Sequence, residues 1–131
     1  EINDDDLLTL AGVDIKENHA IKLDYLQVTS GVGVKPVANI VINTAGIKNE
    51  KMAFGNGPVD AAINALKKVV KKDMTIKELT IQSINKGSDD TCKVHIQVEN
   101  EGHLYYGFSS NTDIVVATIE AYIDCINKFV K

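Results

Sequence analysis

Cysteine is scarce in this chain of 131 residues, which contains only Cys92 and Cys125. The two have no CxxC spacing, and no histidine stands in metal-ligand register with them, so the patterns of zinc sites are absent. They fall in a predicted strand and a predicted helix, where we expect buried free thiols and not a disulfide. The sequence therefore predicts no metal site.

An excess of positive charge and long apolar runs are also missing. Lysine and arginine number 14 against 18 acidic residues, and the net charge is −4 without a basic stripe. Because phosphate binding needs clustered positive charge, this composition argues against nucleic acid as a partner. No apolar run approaches the roughly 18 residues of a membrane-spanning helix, and the acidic start over residues 1–6 is unlike a signal peptide. We therefore expect a cytoplasmic protein that does not contact membranes.

Catalytic patterns are a third absence. His19, His95 and His103 are the candidate general bases near neutral pH, but none has a partner spacing typical of a nucleophile or a metal site. His103 precedes Ser109 and Ser110 without a nucleophile elbow around either serine. The sequence therefore predicts no catalytic residue in this chain.

What the chain does contain is an internal duplication: residues 21–131 repeat one pattern at an offset of 56. Two equivalent halves tend to face each other across a pseudo-twofold axis, so loops at matching positions are the natural place for a site. Those loops are Gly55-Asn56-Gly57-Pro58 and Asn111-Thr112-Asp113-Ile114. The identical pairs are Leu23/Leu79, Gly31/Gly87, Ile40/Ile96, Gly46/Gly102, Val59/Val115, Ala61/Ala117, Ile63/Ile119 and Ala65/Ala121.

Each copy of the repeat predicts three strands followed by a helix. In the first copy, apolar Ala38, Ile40 and Ile42 recur at every second position, which is typical of a strand with one wet face. Pro58 suits the first position of the helix that follows. The expected strands cover 20–29, 37–44, 48–54, 76–85, 91–99 and 103–109, and the expected helices run from 59 to about 72 and from about 112 almost to the C-terminus. The last turns of the first helix carry lysines that complement its dipole, namely Lys67, Lys68, Lys71 and Lys72.

The predicted fold class is α+β, with a βββα unit that occurs twice. Its two small antiparallel sheets are each covered by a helix and related by a pseudo-twofold axis. Neither half buries enough apolar surface alone, whereas a hydrophobic content of 44% suffices for one shared core. The isolated sheet edges favour pairing with a second chain, so we expect a homodimer.

Residues 1–18 have no counterpart in the repeat. Asn3 or Asp4 can cap a short helix that ends before Gly12, and this segment looks like a connector from an upstream region. The chain also starts without methionine. We therefore expect a fragment of a longer protein, with a linker over 1–18 and a duplicated domain over 19–131, whose repeats cover about 19–74 and 75–131.

The two matching loops have the chemistry of a binding site. Glycine permits close backbone approach, and a helix N-terminus presents free amides to an anion such as a carboxylate. The first loop matches neither the Walker A motif nor the Rossmann fingerprint, so the sequence does not indicate phosphate as its ligand. Two converging helix starts could hold a small zwitterion, whose ammonium would meet Asp60, Asp113 or a carbonyl. A tight turn and plain dipole stabilisation by these aspartates remain the alternatives.

Three stretches in this order resemble the C-terminal regulatory domain of 2-isopropylmalate synthase: Ile21-Lys22-Leu23-Asp24-Tyr25-Leu26-Gln27-Val28-Thr29-Ser30-Gly31, Gly55-Asn56-Gly57-Pro58-Val59-Asp60-Ala61, and Thr112-Asp113-Ile114-Val115 with Ala117. The resemblance covers residues 21–131, and residues 3–10 are similar to the linking subdomain of that family. It implies a dimer that binds leucine between its two halves near the subunit interface and so slows a distant active site. The condensation of acetyl-CoA with 2-oxoisovalerate and its divalent metal would belong to an upstream barrel, with no cofactor in this chain.

The resemblance also implies a set of effector-binding positions. They lie in the glycine loop and its helix, in the strand after that helix, and at the start of the final helix. Apolar lining by Val59, Leu79 and Ile114 would suit a branched aliphatic side chain. The full set is Gly55, Asn56, Gly57, Val59, Ala61, Ile76, Leu79, Ser83, Asp113, Ile114 and Ala117.

Several functions stay open at this point. Shape alone separates leucine from isoleucine by only about 1 to 3 kcal/mol, so the isoleucine-binding domain of citramalate synthase, which is similar, is an alternative. Homocitrate synthase fits less well, because typical members lack this domain. A purely structural dimerisation module would use the loops only as turns. A free-standing small enzyme is disfavoured by the absence of a convincing acid, base or nucleophile.

Overall fold

The chain forms two consecutive βββα units. The computed structural model describes residues 20–72, 74–86 and 89–129, so the predicted short helix over residues 3–10 and His19 lie outside the described part. The predicted α+β class and the order of elements are confirmed. The elements are β1 (Ile21–Gly31), β2 (Val34–Thr44), β3 (Ile47–Phe54), α1 (Pro58–Val69), β4 (Thr75–Lys86), β5 (Asp89–Asn100), β6 (His103–Asn111) and α2 (Ile114–Phe129).

The strands build two three-stranded antiparallel sheets, with the orders β1-β2-β3 and β4-β5-β6. Matching two-residue turns join the second and third strands of each sheet. The φ angles are +54° at Ala45 and +84° at Gly46, and +52° at Glu101 and +81° at Gly102. Positive φ at both central residues matches the right-handed twist of the flanking strands. The duplication seen in the sequence is therefore repeated in the turn geometry.

The core lies where the inner faces of the two sheets meet the helices. In the central strands β2 and β5 the apolar residues at every second position are buried, as the alternation predicted. Buried residues of both halves form one continuous cluster. The members from the central strands are Ala38, Ile40, Ile42, Val94, Ile96 and Val98, all at most 2% exposed.

Small residues let the helices approach the sheets closely. A Cβ added at Gly107 in β6 would lie 2.2 Å from the backbone oxygen of Ala121 in α2. At Gly55, just after β3, it would lie 2.4 Å from the backbone nitrogen of Ala61 in α1. Both glycines are therefore required by the space between strand and helix.

The first helix is shorter than predicted. It ends at Val69, and Val70 already has extended backbone angles of −95° and 101°. Since Val70 is only 8% exposed, the chain leaves the helical path to bury this side chain. The prediction that Lys71 and Lys72 belong to the last helical turn is therefore wrong, and only Lys67 and Lys68 lie there.

Helix side chains bond the backbone of the third strand in each sheet. Such contacts occupy groups that an edge strand would otherwise offer to another chain. In the first half, Asn64 Nδ2 donates to the Phe54 carbonyl at 3.0 Å, and Lys68 Nζ donates to the Met52 carbonyl at 2.9 Å. In the second half, the Phe108 amide donates to Asp124 Oδ2 at 3.0 Å and Lys128 Nζ donates to the Tyr106 carbonyl. The edges at β3 and β6 are therefore poorly suited to pairing.

Tyr122 is a fully buried side chain of α2. Within the described part of the chain its hydroxyl has no hydrogen-bond partner. Burial raises the pKa of Tyr122 to about 12, and the nearby Cys125 thiol adds to the shift. Burial likewise raises the pKa of Cys125, whose thiol donates to the Tyr105 carbonyl at 3.1 Å.

Tyr122→Phe should make the fold less sensitive to alkali. Tyrosine ionises near pH 10 in the unfolded chain but only near pH 12 in the fold, so rising pH favours the unfolded state above pH 10. We expect the free energy of unfolding of the wild type to fall by about 1 kcal/mol relative to Tyr122→Phe between pH 9 and pH 11. Urea unfolding of both proteins at the two pH values measures the difference. A constant difference would contradict the burial of this hydroxyl.

Candidate functional site

The first candidate loop leads into an uncapped helix. Gly57 is the N-cap residue of α1, with extended angles of −160° and 176°, and contributes no side-chain cap. Pro58 has no N–H, and the amide of Ala61 donates to the Gly57 carbonyl at 2.9 Å. The amides of Val59 and Asp60 are therefore the first donors at this positive end of the helix dipole.

The loop around this helix start is fixed by its backbone. The amide of Gly55 donates to the Pro36 carbonyl at 3.1 Å, and the amide of Asn56 donates to Asp60 Oδ2 at 2.9 Å. Gly57 differs from Gly55, because a Cβ added there meets no atom within 4 Å. The loop is thus rigid on its strand side and open in front of the α1 amides.

The second helix start is already occupied by a carboxylate of the chain itself. Asp113 Oδ1 accepts hydrogen bonds from the amides of Val115 at 2.8 Å and Val116 at 3.2 Å. The amide of Asp113 in turn donates to Asn111 Oδ1 at 2.9 Å. Of the possible caps Asn111, Thr112 and Asp113, the structure selects Asp113. The two helix starts are therefore opposite in chemistry, one with exposed donors and one with its donors satisfied.

The predicted positions on β4 share one face of that strand. Ile76, Leu79 and Ser83 pair in register with Val98, Ile96 and Cys92 of β5. Ile76 is partly buried against the core, whereas Leu79 is 36% exposed. Ser83 is exposed, and its Oγ lies 3.9 Å from Cys92 Sγ. All three point to the inner side of the second sheet.

This inner side is only partly covered. In the first half both helices pack against β1, and Leu23 is half-buried there. Among the described residues neither helix approaches β4, which occupies the same position in the second half, as closely as both approach β1. Leu79 and Ile81 consequently stay exposed beside buried Ile96 of the neighbouring strand. In the part of the chain that the structure describes, the layer over β4 is incomplete.

The predicted site residues thus form three groups. Gly55 to Ala61 make one loop-helix unit, and Asp113 to Ala117 make a second. The two helices that begin there touch each other, whereas among the described residues neither comes as close to β4 as both come to β1. Ala61 and Ala117 are fully buried, while Ile114 is 39% exposed at the start of α2.

The histidines make contacts of a structural kind. His95 is exposed on the outer face, as the alternation predicted, and its ring lies 4.7 Å from that of Phe108. His103 Nδ1 lies 3.2 Å from the Glu101 carbonyl oxygen. Both cysteines are free, Cys125 being buried and Cys92 half-buried. In the described ranges, no group of three or more potential ligands is arranged to hold a metal ion.

Comparison with known proteins assigns the chain to a family. Residues 1–130 match the model of the LeuA allosteric (dimerisation) domain, and the chain belongs to that family. It is 60% identical to the 2-isopropylmalate synthase of Parabacteroides distasonis in an alignment that covers 99% of this chain and 26% of that protein. It is 36% identical to the enzyme of that name from Trichodesmium erythraeum over 98% of this chain and 24% of that protein. The chain thus spans about a quarter of the length of these relatives.

The family assignment agrees with the resemblance noted from the sequence. The same enzyme name recurs for the relative from Heliobacterium modesticaldum, which is 34% identical over 99% of this chain and 26% of its own length. Neither helix of the described residues is long and apolar enough to cross a membrane.

Two hydrogen-bonded contacts, one at the start of α1 and one at the end of α2, were not predicted from the sequence. Sequence reasoning did not foresee that Asp60 bonds back to the Asn56 amide, although an acidic residue in the first helical turn is a signal for such a contact. It also gave no role to Asn127, whose side chain bonds the backbone of Ile21. A polar residue in the last turn of a helix carries no sequence signal for a partner 106 positions away.

Replacing the cap of α2 should destabilise the fold. Asp113→Ala removes the acceptor of two amides and should lower the free energy of unfolding by about 1 kcal/mol. Asp113→Asn keeps an acceptor and loses only the charge, so its cost should be about 0.5 kcal/mol. Chemical denaturation at neutral pH measures both. Equal stability of the alanine variant and the wild type would show that the cap contributes nothing.

Proposed function

We propose that this chain is the effector-binding and dimerisation domain of a 2-isopropylmalate synthase and that it binds leucine as a feedback inhibitor. The observation that carries the proposal is the contrast between the uncapped start of α1 and the self-capped start of α2. A free amino acid needs one set of donors for its carboxylate and one acceptor for its ammonium. A pair of chemically unequal helix starts can offer both.

The donors of the proposed site are the amides of Val59 and Asp60. They stand at the positive end of α1, in front of open space at Gly57. A bound carboxylate would supply the cap that Gly57 lacks. For the ammonium, Asp113 and Asp60 each keep a carboxylate oxygen outside the hydrogen bonds described above. Exposed Ile114 and Leu79 and half-buried Val59 are the apolar surface available to a branched side chain.

The unfinished layer over β4 supports self-association. A second copy that lays its own apolar surface on Leu79 and Ile81 would complete the core in the way that both helices complete it over β1. The β4 positions of the proposed site would then lie at the boundary between two chains. The family's description as an allosteric (dimerisation) domain agrees with this arrangement.

The activity of the whole protein is part of the same proposal. Its relatives are named 2-isopropylmalate synthase, and the chain corresponds to about a quarter of their length. We propose that the remainder carries the condensation of acetyl-CoA with 2-oxoisovalerate and the divalent metal for it. Leucine bound here would favour a less active arrangement of the domains. A cytoplasmic location stays a prediction from the sequence.

Calorimetric titration with leucine, isoleucine and valine tests the effector. We expect leucine to bind best, by about 1 to 3 kcal/mol over isoleucine, because the two differ only in branching. Preference for isoleucine would favour the citramalate synthase alternative. No heat with any of the three on a folded dimer would leave only the structural dimerisation module.

Two substitutions at Gly57 distinguish the effect of an added charge on leucine binding from the effect of added side-chain volume. Gly57→Asp places a carboxylate on the α1 amides as an N-cap and should weaken leucine binding by at least about tenfold. Gly57→Ala adds only a Cβ in open space and should change the affinity by less than about threefold. Both variants are titrated beside the wild type. Equal affinity of Gly57→Asp and the wild type would remove the α1 amides from the site.

A charge on β4 should separate the two chains. Leu79→Lys would bury an unpaired ammonium in the proposed interface and should raise the dissociation constant of the dimer by about 100-fold or more. Val32→Lys makes the same apolar-to-charged change at a fully exposed hairpin tip and serves as the control. Sedimentation equilibrium measures both. A dimer of Leu79→Lys as tight as that of Val32→Lys would place the interface elsewhere.

A further inference from the structure

The last helix holds the first strand through one side-chain amide. Asn127 Oδ1 accepts a hydrogen bond from the Ile21 amide at 2.8 Å, and Asn127 Nδ2 donates to the Ile21 carbonyl at 3.1 Å. Both backbone groups of one residue are thus paired with one planar amide, as they would be with the peptide group of a neighbouring strand. The two residues are 106 positions apart and belong to different halves of the repeat.

Ile21 marks the place where residues 1–19 join the described domain. It is the first residue of β1 and pairs in register with Thr44 at the end of β2. Asn127 lies in the last turn of α2, 14 residues after the cap Asp113. At a rise of 1.5 Å per residue, this length corresponds to about 20 Å of continuous helix. The rigid helix α2 therefore connects the candidate site to Ile21, the first residue of β1.

The bonds of Asn127 differ in kind from the other contacts between α2 and β1. Apolar packing is non-directional and tolerates small shifts of one element over another. Two hydrogen bonds from a planar amide require a defined distance and angle. A shift of α2 along its axis would therefore either carry Ile21 with it or break both bonds.

We propose that Asn127 is a positioning residue that couples α2 to the chain segment preceding Ile21. The inference rests on the proposed function, because it assumes that an effector acts at the helix starts. Leucine whose carboxylate binds the α1 amides and whose ammonium meets Asp113 changes the position of α2, and the Asn127 amide transmits the change to Ile21 at the start of β1. The residue takes no part in binding leucine.

The test uses the full-length protein that carries this chain. Asn127→Leu has a similar volume and removes both hydrogen bonds. Lys128→Met is the matched control, because it removes the contact of the same helical turn with the Tyr106 carbonyl and leaves Ile21 untouched. For each protein, calorimetry measures leucine affinity, and a steady-state assay measures basal activity and inhibition at saturating leucine.

We expect Asn127→Leu to keep its basal activity and to bind leucine within about threefold of the wild type, while its maximal inhibition falls to less than about half. Lys128→Met should be inhibited like the wild type. Hydrogen exchange of the Ile21 amide should accelerate by about tenfold or more in Asn127→Leu only. If Asn127→Leu does not fold, Asn127→Asp, which keeps the acceptor and loses the donor, should show intermediate inhibition.

The outcomes separate the two proposals. Full inhibition of Asn127→Leu, or of Asn127→Asp where the first variant does not fold, would overturn the coupling role and leave leucine binding intact. Absence of leucine binding to the wild type would overturn both proposals.

Discussion

The fold depends on one constraint: each three-stranded sheet has an apolar inner face that helices must cover. A small sheet with one helix buries too little surface to be stable alone, so the two units share one core. Close packing then requires small residues where helix and strand meet, and Gly55 and Gly107 stand at those points. The duplicated sequence is thus the consequence of a packing problem that one unit cannot solve.

The helices cover the inner faces of the two sheets to different extents. Both helices closely approach β1, and neither approaches β4 to the same extent in the described part of the chain. The helix starts are unequal as well, since Asp113 caps α2, whereas the N-cap of α1 is Gly57 and no side chain of the described residues caps it. A duplication that served packing alone would not need these differences. Within the described residues they leave one apolar strand face and one set of amides open to a partner.

Much of the fold could be predicted from the sequence because local patterns determine it. The alternation through Ala38, Ile40 and Ile42 predicted the buried face of β2, and the repeat predicted the order of elements. The predicted end of α1 was wrong, because the burial of Val70 depends on the core and not on helical periodicity. For the candidate site, the repeat predicted the two loops that lead into the helices, but the hydrogen bonds of the Asp113 cap and the incomplete cover of β4 depend on the folded structure.

The central claim is that the uncapped amides of α1, and not those of α2, receive the carboxylate of the effector. Amide chemical shifts in a nuclear magnetic resonance titration with leucine test this claim residue by residue. We expect the largest shifts at Val59 and Asp60 and smaller ones at Val115 and Val116, whose amides already bond Asp113. Saturable binding that leaves Val59 and Asp60 unshifted would contradict the claim.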